Sequence, residues 1–171
     1  PGEITALIGE NGSGKTSLMN GLMKLTPVAS GQFLIDGKPI DFNDFNRISY
    51  IPDTIIVVKE MTIQEALDYM ATYYDTYDPV LAKDLVTFFN LNPDEKISHL
   101  SKGNTAKVNL LLGLTLNSDY LIMDEPFSGV DIFTLLLEIS SYVLSISPSK
   151  TFIHAKPPLD SITGILALIS S

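Results

Sequence analysis

Hydrophobic and polar positions change period along this chain, and the changes divide it into elements. Residues 4–8, Ile4-Thr5-Ala6-Leu7-Ile8, form an apolar run that reads as a strand and leads into a glycine-rich turn. From Lys15 the period becomes helical, with Leu18, Leu22 and Leu25 on one stripe, which predicts a helix over 15–25. Residues 32–36 and 48–51 read as short strands separated by the turn-forming segment Asp36-Gly37-Lys38-Pro39. Between 62 and 116 the pattern is mostly helical: Ile63, Ala66, Leu67 and Met70 form one stripe, and Val108, Leu111 and Leu112 another. Residues 120–123, an apolar run bounded by acids, predict a strand buried on both faces of a parallel sheet. A helix near 133–145 and strands over 151–153 and 164–169 complete the pattern. The whole predicts an α/β fold whose core comprises residues 1–52 and 119–171, with residues 53–118 as an inserted helical subdomain. Because the chain opens on a strand that normally needs neighbours before it, we expect an incomplete, truncated domain.

Composition narrows the classes of partner. The 171 residues, 45% of them apolar, suffice for one domain with a real core. Eleven basic against twenty acidic side chains leave a net charge of −9, which repels phosphate backbones, so no nucleic acid is expected as a partner. The absence of cysteine excludes disulfide staples and thiolate metal sites. The longest apolar stretches, around 108–116 and 162–169, are shorter than the roughly 20 residues that cross a bilayer.

Gly9-Glu10-Asn11-Gly12-Ser13-Gly14-Lys15-Thr16 matches a phosphate-binding loop, and it lies between a predicted strand and a predicted helix, as that motif requires. Glycines let successive backbone N–H groups turn inward around phosphate oxygens, and the helix start adds its positive dipole end. Lys15 supplies a cation, and Thr16 offers a hydroxyl to magnesium. The plainer alternative, a glycine-rich turn with a chance lysine, does not explain the strand and helix on either side.

Tyr120-Leu121-Ile122-Met123-Asp124-Glu125 is an apolar strand ending in two acids, which burial tolerates only where water or a cation awaits. Asp124 is placed to hold magnesium through water, and Glu125 to orient and deprotonate an attacking water. A solvated strand end is the bland alternative. Leu100-Ser101-Lys102-Gly103-Asn104 precedes a helical pattern, with Ser101 as N-cap and Gly103 allowing close backbone approach. Alone it is a helix start.

In this order, and with Ser128-Gly129-Val130-Asp131 following Glu125, these motifs resemble those of the ABC ATPase family over nearly the whole chain. The family's signature reads Leu-Ser-Gly-Gly-Gln in its commonest form; here Lys102 and Asn104 stand at the glycine and glutamine positions, while Ser101 and Gly103 are retained. The resemblance implies a P-loop NTPase core with an inserted helical subdomain and an ATPase requiring ATP and Mg2+. It implies ATP contacts from Thr5, Gly9, Glu10, Asn11, Gly12, Ser13, Gly14, Lys15 and Thr16, and metal contacts from Thr16, Asp124 and Asp53. Catalytic roles are implied for Lys15, Glu125 and His154, and Asp131 belongs to the resembled D-loop.

Two cassettes of this family face each other head to tail, which implies a second cassette, identical or not, whose ATP is capped by Ser101, Lys102, Gly103 and Asn104. Lys102 would add a cation there. A transmembrane permease subunit, on a separate chain or missing segment, is the other implied partner, docking around residues 53–67. The implied function is powering transport, with the cassette peripheral on the cytoplasmic face of the membrane. The Tyr50-Ile51-Pro52-Asp53 run and the lysine-bearing signature are most similar to bacterial exporter-type cassettes.

Asp53 departs from the family's usual glutamine: it can accept from water or hold magnesium but cannot donate a hydrogen bond. His154 is the candidate for the switch histidine, and His99 is read as a surface or packing residue. The adenine-stacking aromatic of the family lies upstream of residue 1, and Tyr50, Tyr69, Tyr73 and Tyr74 do not fill its place. Two other functions compete. One is a cassette acting on DNA or ribosomes, disfavoured by the acidic charge, the absence of zinc cysteines and the short interval between Lys15 and Ser101. The other is a regulatory module without turnover, motivated by Asp53 and His154 and opposed by Glu125.

Overall fold

A computed structural model describes residues 7, 9–10, 12–52 and 58–124. In chain order these form α1 (Lys15–Leu22), β1 (Leu34–Ile35), β2 (Lys38–Pro39), β3 (Ile48–Ile51), α2 (Ile63–Tyr73), α3 (Pro79–Phe88), α4 (Lys102–Leu114) and β4 (Tyr120–Met123). Short 3-10 helices, Asn43–Arg47 and Ile97–His99, precede β3 and α4.

Strands β3 and β4 pair in parallel, with Ile48 opposite Tyr120 and Ile51 opposite Met123. Side chains alternate across the pair, so the two faces carry different residues. Ile48 and Ile122, with Tyr50 beside them, pack against Met19 of α1. Ile51, Leu121 and Met123 join the larger core made with α2, α3 and α4. Leu121, Ile122 and Met123 are each 1% exposed, as a central parallel strand requires, and each burial contributes roughly 1.5–3 kcal/mol.

Local signals start the helices. Thr62 and Glu65 form a reciprocal capping box on α2, at 3.1 and 2.8 Å. Asp78 accepts from Val80 N and Leu81 N on α3, with Pro79 in the first turn. Residues 108–114 of α4 are buried on all sides because the helix lies against β3 as well as α2 and α3. Its buried polar groups are satisfied: Asn109 donates to Pro52 O, and Ser49 Oγ donates to Gly113 O at 2.8 Å.

Three expectations change. The first helix stops at Leu22, because Lys24 takes a left-handed φ of 53° and Leu25 N turns back to Asn20 O at 2.8 Å. Its inward stripe is Lys15, Met19 and Leu22, whereas Leu18 and Leu25 are 49% and 64% exposed. Leu22 keeps its expected place, while Met19 rather than Leu18 is the buried residue beside it. The strand read over 32–36 shrinks to β1, and the turn itself is Asp36-Gly37, with φ of 52° and 76°. Two positive φ values fit a two-residue hairpin loop, which leaves Lys38 and Pro39 to pair as β2.

Arg47 ties this hairpin to β4, a link absent from the sequence pattern. It bonds Asp119 at 2.6 Å and Asp36 at 3.2 Å, and its guanidinium stacks on Tyr120. The hydrogen bond that Arg47 donates to Asp119, aided by the one to Asp36, holds the Arg47 pKa above its ordinary value. The strands expected over 151–153 and 164–169 and the helix near 133–145 lie outside the described residues, as does all of the run at 4–8 except Leu7.

Candidate functional site

The site starts from backbone that only glycine accommodates. Gly12 and Gly14 have φ of 80° and 95°, and Gly14 is the N-cap of α1 with no side chain to satisfy the first-turn N–H groups. A Cβ at Gly9 would lie 2.5 Å from Ser13 Oγ, so the loop folds closely back on itself there. The result is a helix start whose positive end and uncapped N–H groups face the loop, a ready anion site.

Lys15 is 7% exposed and donates to Gly9 O at 2.8 Å and Glu10 O at 3.0 Å. A buried ammonium requires such partners. The two carbonyls hold it inside the loop, where exchange of these bonds for phosphate oxygens costs no desolvation of a bare charge.

Thr16 Oγ1 donates to Asp124 Oδ1 at 3.1 Å, joining residues 108 positions apart. Asp124 sits there because β4 runs parallel to β3 and its N–H continues the ladder to Ile51 O at 2.9 Å. Its carboxylate is buried at the tip of the strand beside α1. Tyr50 OH approaches the other oxygen, Oδ2, at 3.4 Å, and Asn20 Oδ1 at 3.5 Å. Sequence reasoning missed Tyr50 and Asn20. The available signal was the alternation of β3, which puts Tyr50 opposite Ile122 and on the face that Asp124 continues. A carboxylate and a hydroxyl beside an anion site are hard oxygen donors that suit Mg2+.

At the start of α4, Ser101 Oγ accepts from Asn104 N at 3.2 Å, as the N-cap reading expects. Ser101 and Lys102 are exposed and Gly103 and Asn104 half-buried, and no hydrogen bond joins them to Lys15 or Thr16 among the described residues. His99 is exposed. Tyr69 and Tyr73 stack at 4.6 Å, and Tyr73 and Tyr74 are 68% and 45% exposed, as lobe aromatics rather than ligand platforms. Thr5, Asn11, Asp53, Glu125, Asp131 and His154 lie outside the described residues.

Residues 1–128 match the family described as ABC transporter. Over 134 residues the chain is 31% identical to the ABC transporter ATP-binding protein YhaQ of Bacillus subtilis (strain 168), covering 75% of this chain and 45% of that protein. It is 32% identical over 133 residues to the zinc import ATP-binding protein ZnuC of Rickettsia bellii (strain RML369-C), covering 75% and 53%. Among solved structures, an ATP-binding subunit of an ABC transporter superposes with a TM-score of 0.69 at 26% identity, over 88% of this chain and 74% of that one. A cobalt transport ATP-binding protein, 18% identical, shares the fold over 99% of this chain with a TM-score of 0.66. The chain thus spans about half the length of these two sequence relatives.

Proposed function

This chain belongs to the ABC transporter family as an ATP-binding cassette, and on that premise we propose that it binds and hydrolyses Mg-ATP to power transport across a membrane. The observation that carries the reading is the bond between Thr16 and Asp124, which unites the loop lysine, the magnesium hydroxyl and the strand-end acid at the positive end of α1.

ATP, when bound with Mg2+, supplies a γ-phosphoryl group activated toward water. The chain's own residues do the rest. The backbone N–H groups of residues 12–16 cradle phosphate oxygens, and Lys15 turns from Gly9 O and Glu10 O toward them. Thr16 and Asp124 would hold the cation, with Asp53 as a further oxygen donor. Glu125, one residue past Asp124, takes the proton of the attacking water, and His154 and Asp131 complete the set.

Residues 53–118 serve as the helical subdomain and present Ser101, Lys102, Gly103 and Asn104 to the ATP of a second cassette. A permease subunit docks beside the segment after Pro52. The cassette then works as a peripheral subunit on the cytoplasmic face of the membrane; no described helix is long and apolar enough to cross one. We keep the exporter-type reading of residues 50–53 as a likeness in sequence, since membrane subunits choose the cargo.

Mg-ATP turnover by the intact polypeptide, with Lys15→Ala beside it, tests the reading. Turnover in the parent and none in Lys15→Ala uphold it. A parent that binds ATP without turnover replaces it with the regulatory module that Asp53 and His154 motivate.

A further inference from the structure

We propose that Tyr50 is a positioning residue for Asp124, holding the carboxylate in the orientation in which it receives magnesium; the proposal rests on the Mg-ATP reading above. Asp124 is 2% exposed, so bulk water does not set the direction of its two oxygens; neighbouring donors do. Two hydroxyls approach it, Thr16 at Oδ1 and Tyr50 at Oδ2. Thr16 is the one assigned to the cation, and Tyr50 meets the other oxygen, where its hydroxyl bears on the plane of the carboxylate.

The placement follows from the sheet. Tyr50 pairs with Ile122 in the parallel register, and residue 124 is the next position on that face. The Tyr50 ring packs in the cluster of Met19, Ile48 and Ile122, which fixes where its hydroxyl can reach. A phenol carries one proton, and its oxygen lies 3.4 Å from Asp124 Oδ2 and 3.5 Å from Asn20 Oδ1. The hydroxyl thus lies between two acceptors, and Asn20 Oδ1 helps keep it beside Asp124. Residue 20 of the loop helix and residue 50 of the neighbouring strand thereby act on the metal carboxylate through one hydroxyl. Outer partners of this kind tune metal affinity by orienting a ligand rather than by touching the metal.

Tyr50→Phe in the intact polypeptide keeps the ring and removes only the hydroxyl. The measurement is the Mg2+ concentration at half-maximal binding of a non-hydrolysable ATP analogue, with the same binding in EDTA and the thermal midpoint as companions. We expect the Mg2+ requirement to rise about tenfold, the low end for a lost outer partner, with metal-free binding and the midpoint unchanged. An unchanged requirement overturns the proposal, and so does an equal weakening with and without metal, which would make Tyr50 a packing residue. A parent with no Mg2+-dependent binding overturns the Mg-ATP reading itself; a dependent parent matched by Tyr50→Phe overturns only this proposal.

Discussion

Gly113 of α4 lies so close to Ile51 of β3 that a Cβ on it would meet the Ile51 side chain at 2.3 Å. The same stretch is bonded twice more, through Ser49 Oγ to Gly113 O and through Asn109 to Pro52 O. The helix that Ser101 caps is therefore seated directly on the strand that leads to position 53. The joint connects the two halves of the proposed mechanism, the surface offered to a partner's ATP and the chain's own metal site.

Gly113→Ala should loosen that joint. Helix propensity favours alanine by about 1 kcal/mol, but overpacking a filled core costs about 1–3 kcal/mol or more, and a contact at 2.3 Å with a branched side chain lies at the upper end. We expect a net loss of stability in urea titrations, and less than additive loss when Ile51→Val is combined with it, because the two sites share one contact. Equal stability of Gly113→Ala and parent would show that α4 can lift off β3 without cost.

Ser101 has two roles that two substitutions separate. Ser101→Ala removes the cap on Asn104 N and should cost about 1 kcal/mol, whereas Ser101→Gly should cost a few tenths. Both remove the hydroxyl offered to a partner's nucleotide. We expect both to lose ATP-driven dimerisation in light scattering and only the alanine variant to lower the thermal midpoint. Dimerisation that tracks the midpoint instead would reduce Ser101 to a helix cap.

Glu125→Gln should keep ATP binding while turnover falls by about 10² to 10⁴, the range for a lost general base. The variant should also accumulate as an ATP-bound dimer. Turnover equal to that of the parent would remove Glu125 from the mechanism.

Alkaline stability should report on Tyr77. Burial first, and then the negative charges of Asp68 and Asp78, push its phenol above the ordinary value of 10.0. The folded chain then holds the proton more tightly than the unfolded one, so this contribution is complete below the unfolded value and is lost as pH rises through the folded value. Urea midpoints should fall above about pH 10, and Tyr77→Phe should flatten that fall. Tyr120, raised by burial and by Asp36 against the opposing charge of Arg47, adds to the same limb. Parallel profiles for parent and Tyr77→Phe would leave Tyr77 without a part in it.

Much of the site was legible because its chemistry is local. Glycines that must take positive φ, the lysine and hydroxyl that follow them, the serine that caps α4 and the acid that ends an apolar strand each announce themselves within a few residues. The stripes of α2 and α4 were legible for a similar reason, since burial of Ile63, Ala66, Leu67, Val108 and Leu111 leaves a helical period. The first helix misled because its inward stripe begins with Lys15, a residue whose burial is explained by the loop carbonyls it bonds and not by its hydropathy.

By itself, then, the sequence determined the strands at 48–51 and 120–123, the stripes of α2 and α4, the anion-binding loop and the family. It could do so because backbone preference and hydrophobic period are properties of neighbouring residues. Tertiary structure alone decided that Tyr50 and Asn20 stand behind Asp124, that Arg47 clamps Asp36 to Asp119, and that Gly113 must be bare to admit Ile51. Those relations depend on strand register and helix seating between segments tens of residues apart, where no local period carries information.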